Sequence, residues 1–387
     1  MLNSLIEGIL LKFKFGFVRE MERKRLEEIC LIQAGGTPSR SNSEYWENGD
    51  IPWVKISDIK NKFVSHTEEY ITQKGLDNSS AKIIKKGSIL YTIFATLGEV
   101  GILEFDATTN QAIAGLTLID ENVSVHYLYY YLKSLKSIVN NIGRGVAQNN
   151  INLKILKSFD IPLPSLKEQN NIVRKFEIVE QLINNRKSQI KLLDDLIKSR
   201  FIELFGNKGY PEDTLLNLCN IIDYRGKTPE KVEYGLPFIT AKNVRMHQMN
   251  LEPREYISKE TYDKVMVRGF PKEGDVVFTT EAPLGNVCRI PHFDTEFYIG
   301  QRIVTLQTEK LEPIYLEYAL SSDDFKTKYM GKSSGSTVTG IRVRLLEQLT
   351  IPVPPRELQE QFAAFVEQTD KSKFSSVDII TQLITKF

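Results

Sequence analysis

Ile161-Pro162-Leu163-Pro164 runs directly into SLKEQNNIVRKFE at 165–177, and the reading of this junction decides the fold. Each proline lacks an N–H and disfavours helix in the residue before it, so the four residues form an extended connector. Beyond them the periodicity changes. Ile172, Phe176, Val179, Ile183, Arg186, Ile190, Leu193, Ile197, Arg200 and Leu204 step by alternating fours and threes, and eight of the ten are apolar. That is a heptad seam held over more than four heptads. At 1.5 Å per residue it predicts a helix of about 50 Å. An amphipathic helix lying on its own domain core is the plainer reading, but such helices rarely keep a seven-residue period for so long.

The junction is written twice. Ile351-Pro352-Val353-Pro354 repeats it at a shift of 190, and a second seam follows at Phe362, Val366, Thr369, Lys373, Ser376, Ile380, Leu383 and Phe387, with polar residues in its middle. Working outward, Lys86-Gly87 with Leu97-Gly98 returns as Glu273-Gly274 with Leu284-Gly285, and Thr37-Pro38 returns as Thr228-Pro229. Gln111 returns as Gln301, and Ile51-Pro52-Trp53-Val54 has a looser counterpart in Leu236-Pro237-Phe238-Ile239. The common order of these matches marks an internal duplication. In each copy, β-rich runs (SILYTIF, DVVFTT, RIVTLQ) lie between Gly, Pro and Asn punctuation, and a helical stretch (VHYLYYYLKSLKSIV, PIYLEYALSSDDFKTKY) precedes the proline connector. The expected class is therefore α+β, with two globular domains at 20–160 and 207–350, and long antiparallel coiled-coil helices at 161–206 and 351–387. Phe15-Gly16 matches Phe205-Gly206, so residues 1–19 read as the tail of a long helix that packs with the others and closes the repeat in a circle. An unstructured leader ahead of Met21 is the alternative.

Length and composition agree with two or three folded domains: 387 residues, 41% apolar and 26% charged. Fifty Lys and Arg stand against 49 Asp and Glu, a net charge of +1, so a polyanion would have to be held by local patches. Cys30, Cys219 and Cys288 are odd in number and far apart, which fits a reducing compartment. No apolar run reaches membrane-spanning length, and Lys12 and Lys14 interrupt the N-terminal stretch where a signal peptide stays uncharged. A cytoplasmic protein is expected.

Signatures of catalysis are missing. Gly226-Lys227-Thr228 lacks the earlier glycine of a phosphate loop, position 221 being Ile. There is no dinucleotide fingerprint, no nucleophile elbow and no methyltransferase-like Asn-Pro-Pro-Tyr segment. His66, His126, His247 and His292 form no metal-spaced set, and Cys288 with His292 lacks a second pair. Asp194-Asp195 and Asp323-Asp324 would point apart on a helix. No catalytic or metal residue is assigned.

Two stretches exclude acid. Residues 122–159 carry Lys133, Lys136, Arg144, Lys154 and Lys157, and residues 325–346 carry Lys326, Lys328, Lys332, Arg342 and Arg344, with no Asp or Glu in either. Both include a small-residue loop, GRGVAQNNIN and GKSSGSTVTG, at the same place in each copy. Such loops bring backbone N–H groups and short polar side chains near a ligand, while Lys and Arg neutralise phosphate.

These residues together resemble the specificity subunit of a type I restriction-modification system. The resemblance rests on LEEICLIQAGGTPSR with IPWVKISDI, LLNLCNIIDYRGKTP with LPFITAKNV, and the helix openings SLKEQNNIVRKFE and PRELQEQFAAFVE, and it covers essentially the whole chain. It implies a non-catalytic DNA reader of a bipartite target, in which each domain contacts one half through the major groove. The paired helices would act as a ruler. Partners would be double-stranded DNA, methyltransferase subunits (typically two) that flip and methylate adenine, and restriction subunits that translocate and cut. S-adenosylmethionine, ATP and Mg would sit on those partners, and none in this chain. Candidate DNA contacts, chosen by chemistry, are Arg40, Lys55, Arg144, Gln148, Asn149 and Lys154 in the first domain, and Arg225, Lys227, Lys242, Arg342 and Arg344 in the second. Gln148 and Asn149 are the expected base contacts. The helix interface comprises Ile172, Phe176, Val179, Ile183, Ile190, Leu193, Ile197, Leu204, Phe362, Val366, Ile380 and Leu383. The same module in a type IIB-like modification enzyme, and a coiled-coil scaffold with no nucleic-acid role, remain as other readings. The divergence of the two copies predicts two different half-sites.

Overall fold

The computed structural model describes residues 22–143, 150–224, 228–335 and 339–385, with the backbone alone at 141–143 and 374–385. Residues 1–19, Arg144, Gln148, Asn149, Arg225, Lys227 and Phe387 therefore lie outside the described residues, as do the side chains of Ser376, Ile380 and Leu383. The chain divides into two compact units, and the break falls between Arg186 and Lys187, inside a helix.

In the first unit, five strands stand in the spatial order Cys30–Ala34, Ile113–Leu118, Ile89–Thr92, Val100–Leu103, Phe63–Val64. All pairs are antiparallel except the last. A second sheet of three strands centres on Ile51–Val54, which runs antiparallel to Tyr70–Ile71 and parallel to Thr108–Thr109. The second unit repeats this plan. Asn220–Asp223, Ile303–Gln307, Val276–Thr279 and Val287–Arg289 form the antiparallel sheet. Leu236–Ile239 lies between Tyr256–Ile257, antiparallel, and Tyr298–Ile299, parallel. The β-rich runs ILYT and VVFT are the buried central strands of their sheets, every residue of both being buried. The copies differ beside the main sheet. Where the first has its parallel edge strand, the second has a hairpin of Val244–Arg245 with Gln248–Met249.

The stretches expected to be single helices are each broken in two, Val125–Ser134 then Lys136–Gly143, and Pro313–Ser321 then Asp323–Met330. At the second break Ser322 is extended (φ −66°, ψ 151°) and its hydroxyl accepts from Phe325 N at 3.2 Å, so it caps a new helix.

The proline junctions are built alike to the level of single hydrogen bonds. Asp160–Pro162 pairs antiparallel with Arg23–Arg25, as Thr350–Pro352 does with Glu212–Thr214. Tyr127 Oη donates to Pro162 O at 2.7 Å, and Tyr315 Oη to Pro352 O at 2.7 Å. Gln169, fully buried, accepts from Ser124 N at 2.8 Å and donates to Asn122 O and Pro164 O, both at 2.9 Å. Gln359 accepts from Glu312 N at 2.9 Å and donates to Pro354 O at 2.8 Å. One buried amide thus ties connector, long helix and domain together in each copy, using donors and acceptors that proline backbone and helix start leave open.

The long helices span Leu166–Phe205 and Arg356–Thr385. The first has 40 residues, about 60 Å, and starts six residues ahead of the seam at Ile172 because Ser165 and Glu168 form a capping box. Its seam is the buried face, with a division of labour. In the first unit Val173, Phe176, Val179 and Ile183 are part of the domain's own core, where Phe176 stacks on Tyr130 at 5.0 Å. Ile172, Ile190, Leu193 and Leu204 are half-buried. In the second unit Ile197 and Phe205 join Phe362, Ala363 and Val366 in one core with Tyr315 and Tyr318. There the two helices run antiparallel: Phe362 lies against Phe201 and Phe205, and Lys373 reaches back to Asp194 at 2.7 Å. Two of the polar residues of the second seam, Thr369 and Lys373, have partners. Thr369 donates to Phe365 O at 2.8 Å, and Lys373 also pairs with Asp370 at 2.9 Å. Burial opposes the Lys373 charge, but Asp194 and Asp370 outweigh it and hold the ammonium above its ordinary value.

Candidate nucleic-acid interface

The acid-free stretches do not present all of their cations to solvent. Lys133 turns back to Glu180 at 3.2 Å and Lys136 to Glu99 at 2.6 Å. Burial works against the Lys133 charge, yet Tyr129 and Glu180 keep the ammonium above its ordinary value. In the other copy Lys328 pairs with Glu212 at 2.9 Å and Asp324 at 3.3 Å. These three are ties between helix and domain. Among the described residues no ion pair involves Lys154 or Lys157 in the first unit, nor Lys242, Lys326, Lys332, Arg342 or Arg344 in the second. All of these but Lys157 are exposed, and Lys157 is half-buried.

Arg40 and Lys55 are placed differently. Both bind Glu69, Arg40 at 2.6 Å and Lys55 at 2.7 Å. The Arg40 guanidinium lies 3.6 Å from the ring centre of Trp46 and 4.7 Å from that of Trp53. The tryptophans are themselves fixed by indole donation to Ser39 O at 3.0 Å and Gly36 O at 2.9 Å. Burial opposes the Glu69 charge, while Lys55 and Arg40 draw its carboxyl below the ordinary value. The pair is thus a rigid, largely neutralised mount, Arg40 on the loop after Cys30–Ala34 and half-exposed at its rim, Lys55 at the end of Ile51–Val54.

A feature not assigned from sequence joins the two copies. After each central strand the chain makes a tight turn through an alanine with positive φ, Ala95 at 61° and Ala282 at 49°, a conformation unusual for a residue with a Cβ. Thr92 and Thr279 pin these turns by accepting from Glu99 N and Asn286 N, both at 2.8 Å. Ile93 N donates to Ala112 O and Thr280 N to Arg302 O, at 2.8 and 2.9 Å; Ile151 N donates to Ile93 O and Ile341 N to Thr280 O, both at 3.0 Å. Above this frame Gln111 bonds Thr37, and Gln301 donates to Thr228 at 3.2 Å. In the second unit the frame encloses a cleft of about 390 Å³ lined by Thr280, Glu281, Gln301, Ser334, Gly340, Ile341 and Arg342. The first unit has the same backbone bonds with Phe94, Gln111, Asn150 and Asn152 at the corresponding places. Of these lining residues only Arg342 was chosen from sequence. The repeat of Gln111 as Gln301 was the available signal.

Among the described residues no group of three or more His, Cys, Asp or Glu is placed to hold a metal ion. Cys30, Cys219 and Cys288 are buried and free, and burial pushes each thiol up to about 12. No helix among the described residues is long and apolar enough to cross a membrane.

Fold and site together define a duplicated α+β binding protein that carries exposed cations and a matched polar frame in each copy. The chain belongs to the family described as the type I restriction modification DNA specificity domain, which matches residues 19–192 and again 208–385. It is 25% identical over 379 residues to the type I restriction enzyme MjaIX specificity subunit of Methanocaldococcus jannaschii, covering 90% of this chain and 86% of that one. It is 34% identical over 182 residues to the EcoR124I/EcoR124II specificity subunit of Escherichia coli, covering 46% and 44%. The fold matches the crystal structure of a type I S subunit from M. genitalium with a TM-score of 0.52 at 16% identity, over 96% and 95% of the two chains. A chain from a structural study of assembly of the type I R-M system matches at 0.59 with 20% identity, over 95% of both.

Proposed function

We propose that this chain is the specificity subunit of a type I restriction-modification complex and reads a bipartite DNA target, one half with each repeat. The observation that carries this reading is the duplicated frame: the same strands, proline junction and turn occur twice, while the side chains mounted on them differ. A framework held constant under changed exposed residues is what two readers of different sequences require, since phosphate contacts position a protein and base contacts specify its site. The exposed cations Lys154, Lys326, Lys332 and Arg344 serve the positioning role. The chain itself performs no chemistry. Methyltransferase subunits, two per chain, methylate adenine in the target, and restriction subunits cut unmodified DNA. S-adenosylmethionine, ATP and Mg belong to those partners, since a flipped base needs a catalytic pocket around it. The assembly works in the cytoplasm.

The test is equilibrium binding of the chain, alone and with its methyltransferase subunit, to duplexes with and without the split target. Sequence-selective binding that weakens steeply with salt and tightens when the methyltransferase subunit is added is the expected result. Binding indifferent to sequence under all conditions would contradict it.

A further inference from the structure

The cleft of the second unit carries a carboxylate oxygen and a guanidinium that have no protein partner among the described residues. Arg302 Nε holds Glu281 Oε1 at 2.8 Å, while Oε2 makes no hydrogen bond among the described residues. Arg342, which also lines the cleft, has no hydrogen bond from its guanidinium and no ion pair among the described residues. The two are brought to one cleft by backbone alone: Glu281 and Gly340 face each other in an isolated β-bridge, and Ile341 N is fixed on Thr280 O. Gly340 permits this approach, since a Cβ there would stand 3.2 Å from the Cβ of Glu281 and 3.2 Å from Thr280 O. The walls are rigid too. Ala282 is held at φ 49° directly after Glu281, and Gln301 is tied to Thr228. A carboxylate can only accept, and a guanidinium can only donate.

In the major groove, cytosine offers an amino donor at N4, and guanine offers the acceptors O6 and N7. An A·T pair places its one donor, adenine N6, between the acceptors N7 and O4, so it has no two adjacent acceptors for a guanidinium beside a donor for a carboxylate. We propose that Glu281 and Arg342 are specificity-determining residues that read a G·C pair in the half-site of the second repeat, Glu281 Oε2 accepting from cytosine N4 and Arg342 donating to both O6 and N7 of guanine. The proposal rests on the DNA-reader function and names what one of its sites reads. The first repeat is the internal contrast. At the places of Glu281 and Arg342 it has Phe94, exposed to 39%, and Asn152, whose side chain already caps Ile155 N at 2.9 Å. That site has no charged pair, and the G·C reading is confined to the second.

The experiment uses the complex of this chain with its methyltransferase subunit and a set of duplexes in which each target position is replaced in turn. The wild-type complex is expected to discriminate against A·T for G·C at one or two positions in one half by about 10- to 100-fold, the range for a good paired base contact. In Glu281→Gln and in Arg342→Gln that discrimination falls to threefold or less at the same positions, while every position of the other half keeps its wild-type ratio. The Glu281–Arg302 pair is exposed on both sides (43% and 53%), so neither substitution disturbs folding, and an unchanged melting curve verifies this. Unaltered discrimination in both variants would overturn the proposal. So would a uniform loss of affinity for all duplexes, the mark of a phosphate contact. A wild-type complex with no sequence preference at all would instead overturn the reader function on which the proposal stands.

Discussion

Replacing Phe362 by alanine lowers the stability of the second unit by about 3–5 kcal/mol, the largest effect expected of any single substitution in this chain. Phe362 has no exposed surface. Its ring meets Phe201, Phe205 and Tyr318 with centroids 5.4, 5.6 and 5.2 Å away, all near-perpendicular. It is the point where both long helices and the domain helix Pro313–Ser321 share one core. Truncation leaves a cavity among rigid rings that cannot collapse into it, and three edge-to-face contacts disappear with the side chain. For a unit of this size the loss corresponds to a fall in melting temperature of roughly 6–20 °C. Phe362→Leu fills much of the space and is expected to lose about half as much. A melting curve for Phe362→Ala within 2 °C of wild type would show that the helices are not held through this core.

The second large effect concerns salt. Substituting Lys154, Lys326, Lys332 and Arg344 together by alanine removes four exposed cations that have no ion-pair partner among the described residues. If each neutralises one phosphate, the slope of log K against log salt becomes shallower by about 3.6, at about 0.9 per contact on duplex DNA. Between 50 and 200 mM salt the wild-type complex then loses about a hundredfold more affinity than the variant. The preference for target over random DNA should stay within a few-fold of wild type, because phosphate contacts carry no sequence information. Stability is unaffected, since exposed unpaired cations contribute little to folding. The contrasting set is Lys133, Lys136 and Lys328, which are ion-paired to Glu180, Glu99 and Glu212. Their replacement is expected to cost stability and to leave the salt slope unchanged. Equal slopes for wild type and the four-cation variant would remove these residues from the interface.

How much of this was legible in the sequence follows from the range of the interactions involved. The seam from Ile172 to Leu204 and the proline junctions were readable because helix periodicity and proline stereochemistry are local. The seam could not say what it faces. Phe176 and Ile183 bury themselves in their own domain, and Ile197 and Phe205 meet the second long helix, yet all four follow one period. The early start of the helix was present as Ser165 and Glu168, a capping box ahead of the apolar repeat. Gln169 and Gln359 match in the two copies, but a polar residue on a helix reads as exposed until the connector carbonyls fold over it.

Charge was the least legible property. An acid-free run says nothing of acids that arrive from elsewhere in the fold: Glu99, Glu180 and Glu212 each neutralise a lysine from 37 to 116 residues away. Arg40 and Lys55 illustrate the same limit, since both converge on Glu69. The cleft of the second unit gathers Thr228, Glu281, Gln301 and Arg342 through strand pairing and a strained turn, so no local pattern marks it. Only comparison of the copies, Gln111 against Gln301, pointed there.

The central claim is that this chain alone sets which DNA sequence its partners modify. The most direct measurement is the methylome of a host expressing the chain with its methyltransferase partner, compared with the same host lacking only this chain, and with one in which residues 20–160 are exchanged for those of a relative. The account predicts a split motif with two different halves and modified adenine on both strands, lost entirely on deletion and altered in one half alone by the exchange. A methylome that stays the same after deletion, with the methyltransferase still expressed, would contradict it.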